Sequence, residues 1–232
     1  MGVAVCGCGR CDVEGLVFRG GQHGIGAANG ADSDGVVLND IVAIGNSHSG
    51  VAMDTSNDAW TVVGSRFESN SSYGLWSRSM DAVFEGNTFV GNGEGLHSAG
   101  VRTRIVGNEA FANNSWGFSV GGSGGVANRV LVEDNVAVGN RHGIALSGNA
   151  VLGSGNRTWS NNFNGLGVYD AAVAQWNDVW NNGHGVDASN ATVRENVVYG
   201  NRGDGIGQWS SRIESNRVYD NAGIGINGVY GW

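Results

Sequence analysis

Three stretches decide the reading of this chain: VFEGNTFVGNGEGLHS (residues 83–98), RENVVYGNRGDGIGQ (194–208) and ESNRVYDNAGIGING (214–228). Laid over one another they share a template, apolar-x-x-Asn-x-apolar-x-x-Asn and then, three or four residues on, Gly-apolar. The Gly of the closing pair recurs at Gly2, Gly24, Gly50, Gly74, Gly95, Gly117, Gly143, Gly165, Gly185, Gly205 and Gly225. The steps are 22, 26, 24, 21, 22, 26, 22, 20, 20 and 20 residues. A sustained period of this size marks stacked units, each burying its apolar face on the next. Leucine-rich repeats and parallel β-helices both have it. Leucine is sparse here and no run has helical spacing. Each repeat instead holds three short pieces with period-2 alternation, bounded by Gly, Asn, Asp and Ser, which describes one coil of a β-helix. At the interstrand spacing of about 4.8 Å, roughly eleven coils make a rod about 50 Å long.

The columns of the repeat assign the interior. The first Asn position reads Leu16, Ile41, Ser65, Asn87, Asn108, Asn135, Asn156, Asn177, Asn196 and Asn216, an expected inward ladder of amides. Asn suits such a turn through its tolerance of left-handed backbone angles. Two residues later stand Phe18, Ala43, Phe67, Phe89, Ala110, Ala137, Thr158, Val179, Val198 and Val218, which are read as core, like the residue after each repeated Gly.

Composition narrows the functions. Of 232 residues, 42 are Gly without a collagen period, 8 are Trp and none is Pro. Apolar types make up 41%, enough to bury a core. All 13 basic residues are Arg, against 21 acidic ones, for a formal charge of −8. Nothing forms a basic stripe, so no nucleic-acid partner is expected, and Schiff-base or P-loop lysine chemistry has no residue. No apolar run reaches the length of a membrane span, and MGVAVCGCGR lacks the basic and long apolar regions of a signal peptide. Cys6, Cys8 and Cys11 crowd within six residues, with no fourth ligand nearby to complete a thiolate metal site.

The N-x-φ-x-x-N…G-I pattern resembles the right-handed parallel β-helix repeats of the pectin-lyase-like superfamily. Its members include pectate lyases, polygalacturonases, mannuronan C5-epimerases and NosD-type carbohydrate-binding and sugar-hydrolysis repeats. The expectation is an all-β, single-stranded right-handed parallel β-helix of about 10–11 coils with an Asn ladder, forming one domain over 1–232. Strand-like sequence reaches both ends without a capping segment. The chain therefore reads as a fragment of a longer protein, a unit that associates end to end, or one capped by a few terminal residues. Longer coils begin at Gly24 and Gly117, where AANGADSDG (27–35) and GGSGG (121–125) are expected to bulge. Asp32 and Asp34 flank a turn as calcium-loop carboxylates do; the preferred reading is a solvated acidic turn without a cofactor, and Ca²⁺ held by the two carboxylates is the alternative.

In enzymes of the superfamily the substrate lies along the strand that here follows the repeated Gly. Outward positions on it yield two patches. The first holds Asp54, Tyr73, Trp76, Arg78, Glu94 and His97. Arg78 can neutralise a uronate carboxylate, His97 or Tyr73 can take the proton alpha to it, and Asp54 or Glu94 can orient the base. Trp76 can stack a sugar face. These residue types resemble those of β-helix uronate lyases and epimerases, although the epimerases' Asp-Pro-His segment and lysine are absent. The second patch, read as substrate-binding, holds His142, Tyr169, His184, Asp187, Asp204 and Trp209. Gly183-His184-Gly185 resembles the Gly-His-Gly of polygalacturonases, whose Asn-Thr-Asp, Asp-Asp and Arg-Ile-Lys partners are missing. A third outward stripe ends in Trp159, Trp180, Tyr199 and Tyr219, and beside it runs an apolar column of Val37, Val83, Leu131, Leu152 and Val173. Two apolar stripes favour a protein–protein surface over a sugar site, either self-association, as in a trimer, or packing against another part of a longer chain. The function expected is a β-helix that acts on or binds an acidic polysaccharide, by β-elimination or C5-epimerisation if catalytic, outside the cell or at its surface. The alternative is a non-catalytic structural or adhesive rod.

Overall fold

A computed structural model describes residues 3–5, 11–27 and 32–228. Among them, three parallel sheets of eleven, ten and ten strands wind as a right-handed β-solenoid, each coil giving one strand to each sheet. The first sheet has the longer strands, such as Tyr73–Ser77, Glu94–Ser98 and His142–Ser147. Most strands of the other two are three residues long. The only helical turn among the described residues, the 3₁₀ turn Val126–Asn128, directly follows the expected bulge at 121–125. Of the other expected bulge, residues 28–31 lie outside the described residues, as do Cys6 and Cys8.

The repeated Gly has a packing cause. A Cβ on Gly74 would sit 2.6 Å from the Gly95 carbonyl oxygen and 2.7 Å from the Phe89 ring, so only hydrogen fits where the coils pass. The expected core columns are buried from Phe18 to Val198 and from Ile25 to Ile206, with Phe67 and Phe89 stacked at 5.1 Å. In the last described coil the expectation fails, since Val218 is half-buried and Ile226 is 50% exposed where no further described coil lies over them. Thr158 is fully buried in that column without a partner for its hydroxyl among the described residues.

The ladder is present from Asn87 to Asn216. Asn87 donates through its backbone and side-chain nitrogens to Asn108 Oδ1 at 2.9 and 3.0 Å, and the pattern repeats coil after coil. The second Asn of the template builds a longer ladder, from Asn46 through Asn70, Asn92, Asn113, Asn140, Asn161, Asn182 and Asn201 to Asn221. In both, the residue before the asparagine carries the left-handed angle, as at Gly86 (φ 61°), Asp134 (φ 55°) and Ser69 (φ 54°). This corrects the expectation that Asn itself adopts it. The preceding residue bends the chain, and the Asn amide then folds inward to bond the neighbouring coils.

The outward stripe is a stack of rings. Trp159–Trp180, Trp180–Tyr199 and Tyr199–Tyr219 centroids lie 4.8, 6.0 and 5.1 Å apart, with planes within 11°. The Arg217 guanidinium sits over Tyr219 at 4.8 Å. Ring faces are thus spent on one another, and the half-buried edges remain for solvent. The neighbouring apolar column is interrupted by Thr61 and Arg104, which pair in register with Val83 on either side.

Candidate functional site

All five histidines stand on the first sheet or beside it, which makes its outer face the one with chemistry to offer. Parallel register sets Ser49, Tyr73 and Glu94 in one column and Ala52, Trp76 and His97 in another. The six residues of the first expected patch therefore come together over three coils. His97 Nδ1 lies 3.1 Å from Glu94 Oε1. A carboxylate there accepts the Nδ1 proton and leaves Nε2 of the neutral ring as a lone-pair base. The Tyr73 ring is 5.6 Å from that imidazole. Arg78 is exposed, its guanidinium 5.2 Å over the Trp76 ring. Asp54 accepts the Thr55 N–H at 2.7 Å and shares a cleft with Trp76.

That cleft adds two residues that the sequence reading left out, His23 and His48. Their rings are 5.0 Å apart, and His48 lies 6.0 Å from Tyr73, so the row His23–His48–Tyr73–His97 is continuous. His48 Nδ1 contacts Ser49 Oγ at 2.9 Å, whereas His23 Nδ1 is buried without a partner among the described residues. Burial, then the neighbouring His48, lowers the His23 pKa, so that ring is neutral at pH 7. His23 was legible as an outward phase. His48 falls one residue earlier, on the turn into its strand, where the period says nothing about direction.

The second expected patch divides. Tyr169, Asp187, His184 and Asp204 gather around one cleft, with Asn164 added, and Trp209 projects beyond it, 58% exposed. His142 does not join them. It is stacked between Trp116 at 4.5 Å and Phe163 at 5.1 Å, and Arg141 covers the far ring at 5.3 Å. Burial and Arg141 lower its pKa. Asp32 and Asp34 are both exposed, and Asp34 Oδ1 accepts the Asp58 N–H of the next coil at 2.7 Å. Among the described residues no three His, Cys, Asp or Glu side chains converge as metal ligands.

Comparison with solved structures shows the same fold in proteins of distant sequence. The A-module of mannuronan C-5 epimerase AlgE4 from Azotobacter vinelandii matches 95% of this chain and 72% of its own, with a TM-score of 0.78 and 18% identity. The AlgE6 A-module from the same organism matches with a TM-score of 0.73 and 17% identity, over 94% and 71% of the two chains. The periplasmic alginate epimerase AlgG gives a TM-score of 0.63 at 13% identity, over 98% of this chain and 76% of that one. No curated protein matches the sequence significantly. No described helix is long and apolar enough to cross a membrane.

A sequence family described as periplasmic copper-binding protein (NosD) matches residues 1–126 and again 104–227. Copper takes several convergent imidazole, thiolate or thioether donors. The described residues do not fit it. His23 and His48 form a pair without a third ligand, Met53 is buried in the core, and Met80 sulfur faces Arg102 at 4.0 Å. The two overlapping matches run through nearly the whole solenoid, and on that ground the chain belongs to the NosD family.

Proposed function

We propose that the first sheet's outer face binds an acidic polysaccharide and that the His97 centre acts on one uronate unit of it. The observation that carries this reading is the grouping of an oriented base, a phenol and a guanidinium over an indole on three consecutive coils. Arg78 pairs with the uronate carboxylate, which acidifies the proton alpha to it, while Trp76 supports the sugar ring. Glu94 holds Nδ1–H of His97, so Nε2 removes that proton. Asp54 lines the cleft beside the indole, and His23 and His48 extend the row for a neighbouring unit. If the C4–O bond then breaks and Tyr73 protonates the departing oxygen, the product is an unsaturated uronate. If a proton returns from the opposite face, the product is the C5 epimer. A polysaccharide partner fits a site in the periplasm or outside the cell.

The test is turnover of oligouronates, followed by absorbance of the unsaturated product and by NMR of the C5 configuration. His97→Ala is expected to lower the rate by about 10²–10⁴, the usual worth of a general base, with folding unchanged. Full activity in both His97→Ala and Arg78→Ala would remove this centre from the mechanism. The four-ring stack from Trp159 to Tyr219 favours a second reading, a rod stiffened for structural or assembly use. Inertness of the wild type towards every oligouronate, in binding and in turnover, supports that reading instead.

A further inference from the structure

Four coils beyond His97, about 19 Å along the rod, the same face holds the cleft lined by Asn164, His184, Val186, Asp187, Asp204 and Gly207. Asp187 is exposed, yet both of its hydrogen bonds land on one oxygen: Oδ2 accepts from the Tyr169 hydroxyl at 3.0 Å and from Asn164 Nδ2 at 3.3 Å. Its Oδ1 has no partner among the described residues. Burial and the facing carboxylate raise the Tyr169 pKa, so the phenol remains a donor. His184 Nδ1 accepts the Asp204 N–H at 3.2 Å, which puts the proton of the neutral ring on Nε2, also without a described partner. Asp204 spends both oxygens, Oδ1 on the Ile224 N–H at 2.8 Å and Oδ2 on Asn227 Nδ2 at 2.9 Å. These bonds keep it ionised.

Shape completes the site. Asp187 stands between Gly167 and Gly207 in its column, so neither register partner carries a side chain; the Gly167 coil reaches it through Tyr169 and Asn164. A Cβ on Gly167 would meet the Tyr169 hydroxyl at 2.6 Å, so this glycine lets the phenol lie flat and reach Asp187. Two residues past Gly207 on the same strand, and so on the same face, Trp209 offers an open indole. Arg202, two residues before Asp204, is turned onto the Asn161 and Asn162 carbonyls, and among the described residues no guanidinium is bonded to Asp187 or Asp204.

We infer that this cleft is a subsite for a pyranose that carries no carboxylate. One ring hydroxyl donates to Asp187 Oδ1, the adjacent hydroxyl oxygen accepts from His184 Nε2, and the apolar face of the sugar lies on Trp209. The Asp187 and Asp204 side chains repel the carboxylate of a uronate. The fitting ligand is a neutral saccharide, bound independently of whatever the His97 centre does.

Calorimetric titration with neutral glucan, mannan and galactan hexasaccharides, and with hexamannuronate, tests this. At least one neutral hexasaccharide is expected to bind the wild type. Asp187→Asn and Trp209→Ala are each expected to weaken it about tenfold or more, with far-UV circular dichroism unchanged. Absence of millimolar binding to every neutral probe overturns the inference. Undiminished binding in both variants overturns it too, as does hexamannuronate being the ligand that Asp187→Asn loses. Hexamannuronate turnover is scored separately, so either reading can fail alone.

Discussion

Asn135→Ala cuts the ladder at its middle, and the structure sets the size of the loss. Asn135 is fully buried. Its Oδ1 accepts from the Asn108 backbone and side-chain nitrogens at 2.9 and 3.0 Å, and its Nδ2 donates to the Ile105 carbonyl at 2.8 Å and to Asn156 Oδ1 at 3.0 Å. Alanine keeps the backbone bond from residue 135 to Asn156 and loses these four. The Asn108 N–H is then buried without an acceptor, at about 1–3 kcal/mol. Asn108 Nδ2 keeps the Phe84 and Val106 carbonyls, so it suffers less. Adding the ordinary net worth of the remaining bonds, the expected loss is about 2–5 kcal/mol. Urea unfolding followed by tryptophan fluorescence measures it, with Asn149→Ala as comparison. Asn149 is exposed and accepts the Gly124 and Gly125 N–H groups at 3.1 and 3.2 Å, where water can substitute, so that variant should lose no more than about 1 kcal/mol. A loss under about 1 kcal/mol for Asn135→Ala, or equal losses at the two sites, would refute the reasoning. A small loss would mean that water reaches the ladder and replaces the amide; equal losses would mean that ladder position carries no special weight.

Trp180→Ser removes two ring contacts at about 0.5–1.5 kcal/mol each; the urea midpoint should fall while the fold persists, and an unchanged midpoint would show the stack to be idle. Light scattering on the same variant tests self-association through the stripe, with a lower mass than wild type as the result that supports it. Thr158→Val removes a buried hydroxyl that has no partner and should stabilise by about 1 kcal/mol; a loss of stability would place a hidden partner there. His23 and His142 have lowered pKa values in the folded state, so the unfolded chain binds more protons just below pH 6.5. Stability should therefore fall from pH 7.5 to 5.5, and His142→Phe, which keeps the stack between Trp116 and Phe163, should reduce that slope.

The period of the Gly-apolar pair by itself determined the coil, the three strands, the core columns and the asparagine ladder. Parallel strands in one-to-one register turn a sequence spacing of about twenty into vertical contact, so Asn87 and Asn108, or Trp159 and Trp180, are neighbours by counting alone. Counting also put Tyr73, Trp76, Arg78, Glu94 and His97 on one face. It carries no information across the columns or at the corners. Only the tertiary structure decided that the residue before each ladder asparagine takes the left-handed angle. It also decided that the turn residue His48 swings its ring toward His23 and Tyr73, and that His142 is locked in a ring stack away from His184. The stripe's faces are spent on one another for the same reason. Rotamers and turn geometry depend on what stands in the adjacent column, and at Asp187 that choice left one oxygen tied and the other open.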